Sequence, residues 1–212
     1  MTGNRFFVGV DLGQKADYTA VAVVERAEEV TGFCWVEWRQ VTERYYGLRH
    51  LERIRLGTPY PEVVERIREL VQSDALRGRC TVVADATGVG GPVMDLLRAS
   101  ELGCGLIPVT ITAGMDAAHG GGGWRVPKRD LVVGLQVLLD SGELRIAAGL
   151  KEGERFVKEL TGMRVKVSAA GHEGYAAWRE GTHDDLVLAA ALACWRARWR
   201  EVGPVGRPLG VE

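Results

Sequence analysis

Little in the composition of this sequence announces a function. Its 212 residues carry 27 Lys and Arg against 28 Asp and Glu, a formal net charge of −1. No global basic field therefore marks a binder of polyanions, although a local basic groove around an acidic centre would be hidden in that balance. The four cysteines, Cys34, Cys80, Cys104 and Cys194, form no C-x-x-C pair, and each sits in an apolar stretch. This argues against zinc and disulfide frameworks and for reduced, packed thiols in a cytosolic protein. No stretch approaches the about 18 consecutive apolar residues of a membrane span. The polar start before the first strand lacks the pattern of a signal peptide. No G-x-x-x-x-G-K-[ST] phosphate loop occurs, and there are no internal repeats.

What is present is enough apolar content, 46%, for one sizeable core. The expected organisation is a single domain over residues 1–202, with a Gly/Pro-rich tail at 203–212. Phe6 to Asp11 and Thr19 to Glu25 read as a β-hairpin, and Gly32 to Gln40 as a third strand by its alternation, followed by a polar, aromatic segment to Tyr60. Pro61 opens a helix carrying Val63, Val64, Ile67, Leu70 and Val71. Cys80 to Asp85 and Leu106 to Ile111 are short continuous apolar runs, as in buried parallel strands, with a helix from Val93 to Ala99 between them. Gly114 to Gly123 reads as a mobile loop. Helices follow at Lys128 to Asp140 and Glu152 to Leu160, around a short strand at Leu144 to Ile146. A second hairpin is expected from Arg164 to Val167 and Tyr175 to Trp178, turned at Ala170 to Gly174. The last helix runs from Asp184 to Trp199, with Leu188, Leu192, Trp195 and Trp199 on one face. The class is α/β: a mixed central sheet, antiparallel early and parallel later, flanked by helices, plus an extra hairpin.

Three aspartate-bearing segments stand out: Val8 to Gly13 around Asp11, Val82 to Gly88 around Asp85, and Thr182 to Leu186 around Asp184 and Asp185. The first two are apolar strands ending in a carboxylate; the third opens an apolar helix. Each has a bland explanation alone. Asp11 could start a turn, Asp85 could cap the next turn, and Asp184 and Asp185 suit a helix N-terminus with Thr182 as cap. Together they are costly, because converging buried carboxylates raise one another's pKa unless a cation lies between them. Oxygen donors of this kind suit Mg²⁺ or Mn²⁺, and two such ions would clamp a phosphodiester undergoing hydrolysis. Asp17 and His183 are outer-shell candidates. Lys128 and Arg129, with Arg125 and Lys15, are candidates for gripping DNA phosphates, against the simpler reading of solvated faces.

The ordered set of Val8–Gly13 with Asp17–Ala20, Ala84–Gly88, Val126–Lys128 and His183–Leu186 resembles the nuclease domain of the large terminase subunit of tailed bacteriophages. The resemblance spans nearly the whole chain. It implies a ribonuclease H-like fold and metal coordination by Asp11, Asp85 and one or both of Asp184 and Asp185. It further implies two-metal endonucleolytic cleavage of double-stranded DNA, concatemeric and viral, during genome packaging in the bacterial cytoplasm, by a protein encoded in a phage or prophage. The partners it implies are a packaging ATPase domain or chain, the small terminase subunit and the portal. The missing phosphate loop departs from a full large terminase, so no ATPase domain is expected within these residues.

Two other readings compete. An actin-like ATPase or sugar kinase also ends its first strand in Asp-x-Gly, but this chain is short for two lobes and has no late glycine-rich adenosine segment. A non-catalytic DNA- or portal-docking module would have no need of all the acidic positions.

Overall fold

The computed structural model describes residues 5–13, 17–88, 90–167, 173–177 and 184–198. The chain runs β1 (Arg5–Asp11), β2 (Ala20–Cys34), β3 (Arg39–Arg53), α1 (Tyr60–Val71), β4 (Cys80–Asp85), α2 (Gly90–Ala99) and β5 (Gly105–Thr112). It continues through β6 (Ala118–Gly120), β7 (Gly123–Pro127), α3 (Lys128–Asp140), β8 (Leu144–Ile146), α4 (Gly153–Gly162), β9 (Met163–Val167), β10 (Glu173–Ala177) and α5 (Asp185–Arg198). Eight strands form one sheet in the order β6-β7-β5-β4-β1-β2-β3-β8, and β9 pairs with β10 in a separate two-stranded ribbon. β1, β2 and β3 are antiparallel neighbours, whereas β1, β4, β5 and β7 run parallel. The mixed sheet and the extra hairpin are as the sequence pattern predicts.

Strand periodicity divides the core in two, because successive side chains alternate between faces. Val8, Val10, Val82 and Ala84 pack with Val63 and Ile67 of α1 and Val93 and Leu97 of α2. Phe7 and Val83 point the other way, into a cluster with Leu131 and Leu135 of α3, Phe156 of α4 and most of α5. By the same parity Asp11 and Asp85 fall on the α5 face.

α5 departs from the expected single apolar face. Every residue from Asp185 to Cys194 is buried, so the helix is enclosed all round. Leu188 and Leu192 do not mark a stripe, and Trp199 lies outside the described residues. The close fit rests on Gly9: a Cβ there would lie 1.9 Å from the backbone oxygen of Ala189.

Two further expectations need correction. Gly32 to Gln40 is not a strand. β2 and β3 form one hairpin of 15 residues per strand whose tip lies between Cys34 and Arg39, with Trp38 at φ 50°. Trp35 to Trp38 form the tip, so the alternation of Trp35, Glu37 and Arg39 against Cys34, Val36 and Trp38 does not mark a pleat. The rings of Trp35 and Trp38 are exposed and lie edge-on to Phe33 and to each other. The polar, aromatic segment beyond Gln40 is strand as far as Arg53.

The glycine-rich stretch is likewise not a loop throughout. Ala118–Gly120 pairs with Gly123–Arg125 across a two-residue turn, where Gly121 and Gly122 have φ of 62° and 81°. Only residues free of a Cβ penalty hold that mirror-image turn comfortably. In the ribbon, Glu173 and Gly174 belong to β10 rather than to the turn; the turn itself and Trp178 lie outside the described residues.

Candidate metal centre

β1 and β4 are parallel neighbours with Val10 opposite Ala84. One step further, Asp11 and Asp85 stand side by side at the strand ends, on strands about 4.8 Å apart. α5 brings the other carboxylates by simple geometry. Its Ala189 sits on Gly9. Asp11 lies two residues along the strand, about 6.7 Å, and Asp185 four residues back along the helix, about 6 Å. Running in opposite directions from their contact, strand and helix carry Asp11 and Asp185 to the same rim, and Asp184 precedes Asp185.

The charges answer accordingly. Burial first, then Asp85, Asp185 and Asp184, push the Asp11 carboxyl well above the usual range, and Lys128 pulls it partly back. Asp85 is raised chiefly by burial, opposed by its hydrogen bonds to Thr87 and its contact with Asp11. Its Oδ1 accepts from the Thr87 backbone N–H at 2.7 Å, so the turn-capping role does exist. Thr87 in turn accepts from the Ile111 N–H at 2.7 Å, and the Ala86 N–H bonds the Val109 carbonyl at 2.7 Å. These tie the end of β4 to β5 and fix where Asp85 stands.

Lys128 donates to Asp184 Oδ2 at 2.6 Å. Its ammonium is thus spent inside the acidic cluster, while Arg129 lies 3.8 Å from Asp130 and Arg125 is exposed on β7. Asp17 is exposed in the β1–β2 connection and is not among the groups that shift Asp11. Lys15 and His183 lie outside the described residues, as does Thr182.

Sequence reasoning missed a buried support behind the aspartates. Arg53, at the end of β3, donates through Nη2 to Asp185 Oδ2 at 2.9 Å and to Glu159 Oε1 at 2.6 Å. Its guanidinium lies 4.5 Å from the Tyr18 ring centre, a cation–π distance. Glu159 Oε2 accepts from the N–H groups of Leu186 and Val187 at 3.0 and 3.4 Å. It therefore caps α5 from a different helix, satisfying amides a helix start leaves open. Burial, together with Asp185, raises the Glu159 carboxyl to about 7 despite Arg53. All three of Arg53, Glu159 and Asp185 have side chains less than a tenth exposed. No sequence signal could have revealed this, since the partners are separated by 106 and 132 positions.

Five carboxyls, those of Asp11, Asp85, Asp184, Asp185 and Glu159, thus face two cations, Arg53 and Lys128. No three His, Cys, Asp or Glu side chains among the described residues are gathered as tightly as a finished metal cage. The donor set, all oxygen and partly unneutralised, fits a hard divalent ion.

The fold has clear counterparts among solved structures. The large terminase nuclease of thermophilic phage G20c matches at 21% identity and a TM-score of 0.58, covering 91% of this chain and 82% of that one. The same nuclease with bound magnesium matches at 22% identity and TM-score 0.61, covering 92% and 83%. The large terminase nuclease domain of bacteriophage SPP1, with bound manganese, matches at 11% identity and TM-score 0.52, covering 91% and 86%. The architecture is therefore that of the large terminase nuclease domains, a ribonuclease H-like fold. No protein-family model and no curated protein matches the sequence.

Proposed function

We propose that the chain is a divalent-metal-dependent endonuclease acting on double-stranded DNA. The observation that carries this is the pairing of Asp11 and Asp85 at adjacent strand ends beneath the first turn of α5, where Asp184 and Asp185 complete an acidic rim. The likeness to nuclease domains that bind magnesium or manganese supports the same reading. Asp11, Asp85, Asp184 and Asp185 would hold the ions. A pair of Mg²⁺ or Mn²⁺ ions would supply charge neutralisation at the attacking and leaving oxygens of the phosphodiester.

The chain's own groups set the conditions for that chemistry. Asp85 is fixed through Oδ1 by Thr87 and stands beside Asp11, so the two carboxylates would share an ion. Arg53 orients Asp185 from behind, and Glu159 anchors the helix that carries it. Lys128 neutralises Asp184, the partner an ion at the rim would share or replace. The likeness to phage terminases extends the proposal to cleavage of concatemeric viral DNA in the host cytoplasm. A packaging ATPase, the small terminase subunit and the portal would be its partners, and residues 1–202 would act as one nuclease domain.

Supercoiled-plasmid cleavage with Mn²⁺, Mg²⁺ or EDTA, comparing the native chain with Asp85→Ala, tests it. Metal-dependent nicking and linearisation, lost in the variant while its circular dichroism is unchanged, is the expected outcome. Equal cleavage by the variant sinks the site assignment. No cleavage with any metal, together with tight ATP binding, would instead favour the actin-like reading.

A further inference from the structure

Two of the four cysteines meet at the end of the sheet away from the acidic rim. β4 begins at Cys80 and ends at Asp85, so Cys80 stands at the opposite end of the strand from the carboxylates. β5 runs parallel to β4, with Val82 opposite Leu106 and Thr81 opposite Gly105. One residue further back along each chain, Cys80 falls opposite Cys104. Both pack on the same face, in the cluster that holds Val71, Leu76 and Leu102. Neighbouring strands lie about 4.8 Å apart, and a disulfide joins residues whose Cα atoms are about 4.4–6.8 Å apart. Cys104 precedes the first residue of β5 and follows Gly103 at φ 70°. It lies outside the ladder, where a small adjustment of the backbone breaks no strand pairing.

The two thiols also interact. A hydrogen bond with Cys80 holds the Cys104 thiol below its usual value; burial opposes this, and the Val82 backbone adds to it. The same bond, together with burial, pushes the Cys80 thiol up. Cys80 is buried, whereas Cys104 is only partly so. The sulfur nearer solvent is therefore the one that ionises more readily, and the thiolate is the reactive form. The other two cysteines lack this arrangement. Cys194 is enclosed in the α5 cluster, and burial pushes its thiol up to about 12. Cys34 ends β2 opposite Arg39 rather than another cysteine.

We propose that Cys80 and Cys104 are a redox pair that hydrogen peroxide closes into a reversible disulfide, with Cys104 as the attacking sulfur. The Cys104 thiolate attacks one peroxide oxygen, the O–O bond breaks, and the departing hydroxide takes up a proton to leave as water. Cys104 is then a sulfenic acid. The Cys80 sulfur attacks the Cys104 sulfur, the S–O bond breaks, and hydroxide leaves with the Cys80 proton as a second water. One peroxide is reduced by two electrons and the two thiols are oxidised to one disulfide. A dithiol reductant reverses it by exchange. The bond ties together the ends of the β4–α2–β5 crossover, the unit that carries Asp85 and Thr87. None of this depends on the nuclease reading.

The test treats the reduced, folded full chain with limiting hydrogen peroxide, blocks free thiols with iodoacetamide, and maps the unreduced digest by mass spectrometry. The expected result is a Cys80 peptide joined to a Cys104 peptide, lighter by two hydrogens than the reduced pair, before Cys34 or Cys194 is oxidised. Dithiothreitol should abolish it. Cys80→Ser should stop at the Cys104 sulfenic acid, trapped with dimedone, and Cys104→Ser should leave Cys80 reduced. Circular dichroism checks the fold of both variants, and the native chain decides the matter without them. A native Cys104 that accumulates as sulfenic acid without joining Cys80 overturns the proposal. So does a Cys104–Cys104 link between chains, or a pair that stays reduced while Cys34 is oxidised. Oxidation of Cys80 at the native rate in Cys104→Ser overturns the attacking role of Cys104.

Discussion

Replacing Asp11 by Asn should stabilise the metal-free protein while destroying the site. Asp11 is buried, faces three other carboxylates and has one opposing ammonium, that of Lys128. At an effective dielectric of 20, one charge pair about 6 Å apart is worth roughly 2.8 kcal/mol. Three repulsions less one attraction then give about 5.5 kcal/mol, which is a ceiling. The carboxyl can escape by taking up a proton, and at pH 7 that costs about 4 kcal/mol from an unperturbed pKa. The gain on substitution is therefore about 2–4 kcal/mol, or roughly 5–15 °C in Tm for a chain of this size. The sign with pH follows from the raised carboxyl. The folded state binds a proton before the unfolded state does, so this group's destabilisation is full at pH above its folded pKa. It is relieved as pH falls towards the ordinary carboxylate range. Thermal melts in EDTA should show the Asp11→Asn advantage at pH 7 and its shrinkage towards pH 4. Added Mg²⁺ should raise the native Tm, by about 2.7 kcal/mol of stability at 100 times Kd, and leave the variant unmoved. A variant no more stable than the native chain in EDTA, or equally stabilised by Mg²⁺, would refute the reasoning.

Two other substitutions probe the support of the site. Gly9→Ala drives a methyl into the Ala189 carbonyl at 1.9 Å, with backbone on both sides and nothing free to yield. We expect a loss of at least about 3 kcal/mol, and a urea midpoint equal to native would show that α5 can lift off β1 at no cost. Arg53→Met removes the guanidinium that buried Asp185 and Glu159 share, for an expected loss of about 3–5 kcal/mol. A chemical-denaturation loss below about 1 kcal/mol would mean that Lys128 or solvent already neutralises Asp185.

The parts of the fold legible in the sequence are those where burial is continuous. Cys80–Asp85 and Lys128–Asp140 stand where periodicity predicts them, because solvent is excluded from a whole strand or a whole helix face. The distal half of the β2–β3 hairpin was not legible. Its strands are exposed and charged there, so no apolar pattern exists to read. Cross-strand pairs such as Arg44 with Glu28 stand in its place. The acidic residues were legible because a carboxylate ending an apolar run is conspicuous. Their buried counterpart Arg53 was not, since it terminates a strand hidden among charged residues and meets Glu159 and Asp185 only in three dimensions. Lys128 follows the buried Val126 and Pro127 at the start of α3, and only the docking of α5 brings Asp184 to it, so that pairing was not legible.

The burial of α5 against β1 also orders events in time. The strand that carries Asp11 leaves the ribosome 174 positions before Asp185 (185 − 11). At about 5–20 residues per second, that is an interval of roughly 10–35 s. Throughout it, the sheet face built from Phe7, Ala22, Leu48 and Val83 has no helix α5 to cover it. A nascent chain must keep that face from self-association, and chaperone occupancy during synthesis is the natural remedy. The proposed acidic centre is likewise not assembled until α5 docks, so an unfinished chain holds only Asp11 and Asp85 of its four carboxylates.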